Sequence, residues 1–219
     1  LVVSTPKMPL DVKDVPDTYL KDGPVDSVFI DTTPKALPAV RDLVRNVSYQ
    51  ISRFYHPDFV SKLDELLKTG EWDAIILESL YMMPYFEQIR SLYSGPVVLR
   101  AHNVEHIIWK RILDNSKNPL KKRYLSTLQR QLKRYELEAV SKVSAVACIS
   151  DVDAKYFREH VPEADVITMP FALEDRKPGK SRSEFLYRFG HIGSMDWMPN
   201  LEGLRHFVRE IWPKVIKDI

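Results

Sequence analysis

The chain has 219 residues, enough for one sizeable core or for one domain and part of another. Its 32 Lys and Arg nearly balance 30 Asp and Glu, a formal charge of +2, so no global field argues for a nucleic-acid partner. No apolar stretch reaches the roughly 20 residues needed to span a bilayer. The one cysteine, Cys148, permits no internal disulfide and fits a reducing compartment, so a cytoplasmic location is expected.

Short apolar runs alternate with longer helical patterns along the chain. Leu1–Ser4 reads as a strand entered midway, with sequence expected upstream of it. Further strands are predicted at Val25–Ile30, Trp72–Leu77, Val97–Arg100, Ser144–Ile149, Asp165–Met169 and Leu186–Ile192. Between them fall helical patterns at about 36–46, 57–69, 80–92, 103–114, 119–141, 151–160 and 199–218. This alternation predicts an α/β fold, a Rossmann-like parallel sheet with helices on both faces, truncated at both ends. The helix at 119–141 is the clearest. Leu120, Tyr124, Leu125, Leu128, Leu132, Tyr135 and Ala139 form one apolar stripe, and Lys121, Lys122, Arg123, Arg130, Lys133 and Arg134 occupy its other faces. That basic face reads either as an ordinary solvated surface or as peripheral contact with an anionic membrane.

Residues 171–184 are charged, hold Pro178 and Gly179, and bury little after Leu173, as a linker does. The expected organisation is a Rossmann-like domain over 1–170, this linker, and one strand–helix unit of a second domain over 185–219. A single unit cannot bury its own faces. The apolar residues of helix 199–218 are therefore expected to dock on the first domain or on another copy, as a homodimer.

The most informative segment is Pro96–Arg111. A buried strand delivers Arg100, His102 and Asn103 to its carboxyl end, and Asn103 is expected to cap the following helix. In open α/β sheets that edge is where ligands bind. The same stretch contains His102-Asn103-Val104-Glu105-His106, a His-x-x-Glu-His pattern that can be read as a zinc hydrolase site completed by Glu136, Glu138 or Glu184. Capping at Asn103 argues against it, because His102 would then lie outside the helix that carries His106.

Three segments carry a family resemblance. Arg-Ala-His-Asn-Val-Glu-His-Ile-Ile-Trp-Lys-Arg (100–111), Ala-Cys-Ile-Ser-Asp-Val-Asp-Ala (147–154), and Gly-Ser-Met-Asp-Trp-Met-Pro-Asn-Leu-Glu-Gly-Leu (193–204) with its Ile-Trp-Pro resemble glycosyltransferase family 4. These are retaining nucleotide-sugar transferases of the GT-B fold, with two Rossmann-like domains facing a cleft. The resemblance implies a nucleotide-sugar donor, a glycan, lipid-linked or small-molecule acceptor, and no metal or other cofactor. It places His102 at the family's active-site histidine and Gly193 and Ser194 at the loop that faces the donor phosphates. Arg100, Asn103, Glu78 and Ser79 are the candidate substrate-binding residues. The chain departs from the family in lacking the Gly-rich loop of the amino-terminal domain, the basic residues after Gly193, and the paired glutamates that grip the donor. An incomplete transferase, inactive alone, is the expectation. A non-catalytic GT-B-like binding module is the alternative.

Overall fold

The computed structural model describes residues 1–21, 23–172, 189–195 and 198–217. The chain divides into two compact units, Leu1–Ala172 and Leu173–Ile219. The first is a Rossmann-like α/β unit with parallel sheets flanked by helices. β1 (Val2–Ser4) and β2 (Ser27–Phe29) form one parallel pair, and β3 (Ile75–Glu78), β4 (Val97–Ala101), β5 (Ala145–Cys148) and β6 (Val166–Thr168) form a four-stranded parallel sheet in that order.

The connections follow from the sequence pattern. Each parallel step needs a crossover. The chain uses a short helix α1 (Asp17–Leu20) between β1 and β2, then α2 (Ala36–Val44), α3 (Tyr49–Ser52) and α4 (Pro57–Thr69) before β3. A 3₁₀ segment, Leu80–Tyr85, and α5 (Phe86–Leu92) lead to β4. α6 (Glu105–Asp114) and α7 (Pro119–Lys142) lead to β5, and α8 (Asp151–His160) leads to β6. Pro57 and Pro119 sit in the first turns of α4 and α7, where a missing N–H costs nothing. Asn118 caps α7, and Ser150 caps α8 by accepting from the Asp153 amide at 3.2 Å. The predicted helix at 80–92 is 3₁₀ over its first half, because Pro84 cannot donate to an α-helical ladder.

The central strands seal one face of the sheet, while Val98 and Arg100 on the other face of β4 are half-buried. Val97, Leu99, Val146 and Cys148 are sealed, together with Leu132 and Val140 of α7 and Phe157 of α8. Each such aliphatic side chain contributes about 1.5–3 kcal/mol on burial. Cys148 is thus a small core residue, and burial raises its thiol pKa to about 12.

In the second unit, α9 (Met198–His206), a π-helical turn (Phe207–Ile211) and α10 (Trp212–Val215) form a continuous helical run. The predicted helix 199–218 is therefore not uniform. Pro213 cannot donate in the last part and its ring displaces a carbonyl one turn back, which the wider turn accommodates. Phe189, Phe207 and Trp212 pack together with ring centroids 5.2–6.4 Å apart. The expected linker lies, from residue 173 on, outside the described residues. So do residues 186–188 of the strand expected at Leu186–Ile192, and 189–192 form no strand.

Candidate functional site

All four strands of the larger sheet point the same way, so their carboxyl ends form one edge. Glu78 ends β3 directly opposite Arg100 of β4, and neighbours in register share a face. His102 follows β4 by one residue. Phe171 follows β6 by three. These four side chains, from the carboxyl ends of three strands, converge.

Glu78 joins the group. One of its carboxylate oxygens accepts from Arg100 Nη1 at 3.2 Å, and the other lies 2.8 Å from His102 Nε2. With the proton on Nε2, as the carboxylate requires, Nδ1 is the acceptor of the ring. The His102 side chain is 36% exposed and that of Glu78 is 52% exposed, so the pair contributes little to stability. Arg100 also sits over the Phe171 ring, 5.0 Å from its centroid, and His102 meets the same ring edge-on at 5.9 Å. The Arg100 Nε is buried and has no hydrogen-bond partner among the described residues. A cation, a carboxylate, an imidazole and an aromatic ring therefore share one strand-end edge. They can hold a hydroxyl-rich or anionic ligand and pass a proton between it and Glu78.

Ser79 comes next in the chain, at φ 85 and ψ 158. A non-glycine residue there is strained, and such strain collects at functional turns. Its hydroxyl accepts from the Tyr81 amide at 3.3 Å and so opens the 3₁₀ segment.

Asn103 does not cap α6, contrary to the sequence expectation. The helix begins at Glu105 with Val104 in the cap position, and no side chain of the cap residue bonds to it. The cap comes from α7 instead. The Glu136 carboxylate accepts from the Glu105 amide at 2.8 Å and the His106 amide at 3.0 Å. A buried carboxylate at a helix amino terminus satisfies orphan donors and opposes the helix dipole. Asn103 borders a cleft of ≈ 310 Å³ between α6 and α8.

His102 and His106 part company. His106 is sealed, with Nδ1 2.5 Å from Glu136 and Nε2 2.8 Å from the Tyr156 hydroxyl. Both nitrogens of its ring are occupied by protein groups, and each imidazole has its own carboxylate. Glu138 pairs with Lys142 at 2.8 Å, and Glu184 lies outside the described residues. Among the described residues no three His, Cys, Asp or Glu side chains gather as metal ligands do. Glu105 is buried too, and burial raises its pKa even though the Tyr81 hydroxyl donates to it at 2.9 Å.

Gly193 and Ser194 belong to the second unit. The Asn200 side-chain amide donates to the Ser194 carbonyl at 3.1 Å, and a Cβ at Gly193 would meet His191 at 2.9 Å and Asn200 at 3.0 Å. The loop is thus tied to the start of α9. Sequence reasoning missed Phe171, which falls where the composition turns linker-like. The available signal was its place just past a third predicted strand.

The fold and this edge define a Rossmann-like α/β protein with a polar strand-end cluster. No family model matches the chain, and no solved structure matches it. Over 144 residues it is 23% identical to the human Arf-GAP with dual PH domain-containing protein 2, covering 65% of this chain. The chain matches 37% of the length of that protein. At that identity the similarity does not show a family. No helix among the described residues is long and apolar enough to cross a membrane.

Proposed function

We propose that this chain is the acceptor-side part of a retaining nucleotide-sugar glycosyltransferase, similar to glycosyltransferase family 4. The observation that carries the reading is His102, half-exposed at the carboxyl end of β4 and oriented by Glu78. Transfer breaks the bond between the anomeric carbon and the diphosphate and forms one to an acceptor hydroxyl, whose proton leaves with the diphosphate. Positive charge develops on the sugar ring, and negative charge on the departing group. An imidazole held by a carboxylate is suited to hydrogen-bond the transferred sugar. Phe171 and Arg100 would border the same edge, with the Arg100 guanidinium held between Glu78 and the Phe171 ring. By the same resemblance Gly193 and Ser194, in the second unit, would be the donor-phosphate loop, and the family's chemistry calls for no metal.

The test is His102→Ala in the full-length protein, assayed for transfer from nucleotide-sugar donors. Transfer is expected to fall by orders of magnitude with thermal unfolding within about 0.5 kcal/mol of wild type, as for a partly exposed side chain. Wild-type kinetics in that variant would remove His102 from the mechanism. Nucleoside diphosphate binding without transfer in the wild-type protein would instead support a non-catalytic module.

A further inference from the structure

α2 presents its faces the wrong way round for a core helix. Its one buried side chain is Asp42, bonded by Arg41 Nε at 2.9 Å and by the Ser52 hydroxyl. Leu37, Val40 and Val44, spaced to form one stripe, stand 85%, 59% and 81% exposed. Val47, just beyond the helix, is exposed as well.

The carboxyl end of α2 is tied to α7. Asn46 closes α2 in a left-handed conformation, φ 57, and its carbonyl accepts from Arg134 Nη2 at 2.6 Å. Its side-chain oxygen lies 3.4 Å from Gln131 Nε2. Positions 120, 124, 127, 131 and 134 share one helical face. The face of α7 that meets the end of α2 is therefore the one that also carries Leu120 and Tyr124, exposed by 81% and 39%. From Leu120 to Arg134 it runs about 21 Å. Residues 115–135 contain seven Lys and Arg and no Asp or Glu. On the α2 side Arg45 is exposed, and the single carboxylate, Asp42, is buried.

We propose that α2 and the first half of α7 form a docking face for an anionic lipid bilayer. Leu37, Val40 and Val44 enter the interfacial layer, while Arg45, Lys121 and Arg130 meet headgroup phosphates. The pairing of an exposed aliphatic stripe with the cations of residues 115–135 is what such a surface takes up, and the carboxylates at its margins are paired, Asp31 with Lys35 and Glu87 and Glu138 with Lys142. A second copy of the chain fits poorly, because a two-fold contact would set this cationic face against itself. A nucleic acid would use the cations but not an aliphatic stripe, and Tyr124 is the one aromatic side chain among these exposed residues for a base to stack on. The inference stands without the transferase reading.

The test is flotation of the purified chain with vesicles of phosphatidylcholine alone and with roughly 30% phosphatidylglycerol added. Binding is expected to the anionic vesicles and not to the neutral ones, weakening at ~0.5 M NaCl, where charges are screened over a few ångströms. Leu37→Ser/Val40→Ser/Val44→Ser and, separately, Arg45→Glu/Lys121→Glu/Arg130→Glu should each lower the bound fraction about tenfold or more. All six positions are exposed, so circular dichroism should report an unchanged fold. Equal binding to both vesicle types, no binding, or wild-type binding by either variant would overturn the proposal. So would a wild-type dimer that the serine variant dissolves, since that would make a second copy the occupant.

Discussion

The Glu136 carboxylate and the His106 imidazole meet at 2.5 Å in the interior, although thirty residues separate them in sequence. The same carboxylate takes the amides of Glu105 and His106. It therefore fixes where α6 starts, and with it the loop that carries His102 out to the strand-end edge. The Tyr156 hydroxyl on the other ring nitrogen extends the arrangement to α8. Three helices are keyed together at one buried charge.

Removing that charge should be costly. Glu136→Ala leaves two buried amides and an imidazole N–H without an acceptor, and a loss of about 3–5 kcal/mol is expected. Glu136→Gln keeps one acceptor oxygen and should lose less. Urea unfolding with an unchanged m-value measures both, and equal midpoints for Glu136→Ala and wild type would refute the clamp.

Glu105 sets a pH dependence. Burial raises its folded-state pKa above the value of about 4.3 in an unfolded chain. Between those two values the folded state holds more protons than the unfolded state, so stability declines as pH rises through the folded pKa. The contribution is fully present only below the unfolded pKa. Glu105→Gln cannot ionise and keeps an acceptor for the Tyr81 hydroxyl. It should gain on wild type at pH 7, and the gain should shrink as pH is lowered toward 4. A gain that grows on acidification would contradict the shift.

Ser79 holds a conformation that glycine adopts without strain. Ser79→Gly should relieve about 1–3 kcal/mol of backbone strain, offset by loss of the hydroxyl bond to Tyr81. The melting temperature is expected to stay level or rise by a few degrees. If the turn serves the site, transfer by the full-length protein should fall at the same time. A melting temperature several degrees lower would show that the hydroxyl matters more than the strain.

Cys148 should be inert in the folded state. Its side chain is sealed and its thiol pKa lies near 12, so the thiolate that reacts with disulfide reagents is scarce at pH 8. Labelling with such a reagent should follow global unfolding and run to completion in concentrated urea. Rapid labelling of the native chain would place the thiol outside the core.

The six strands of the α/β unit were legible because short apolar runs such as Val97–Leu99 leave a local mark. α7 was legible for the same kind of reason, through the spacing of Leu125, Leu128 and Leu132. His102 could be placed at a strand end because strand ends are local too. The cap of α6 could not. Asn103 has the right chemistry in the right place, yet Glu136 arrives from α7 and supplies the acceptor. The environments of the two histidines could not be read for the same reason, since His106 is bonded to Glu136 and Tyr156 by packing and not by spacing.

Sequence alone determined which residues are apolar and at what period, and hence the α/β alternation and the strand-end position of Arg100 and His102. The tertiary structure decided which distant groups share a buried acceptor, which stripe of α2 faces solvent, and that Phe171 returns to Arg100 and His102. Periodicity is set by neighbours along the chain. The partner of a buried charge is set by what else must be desolvated with it.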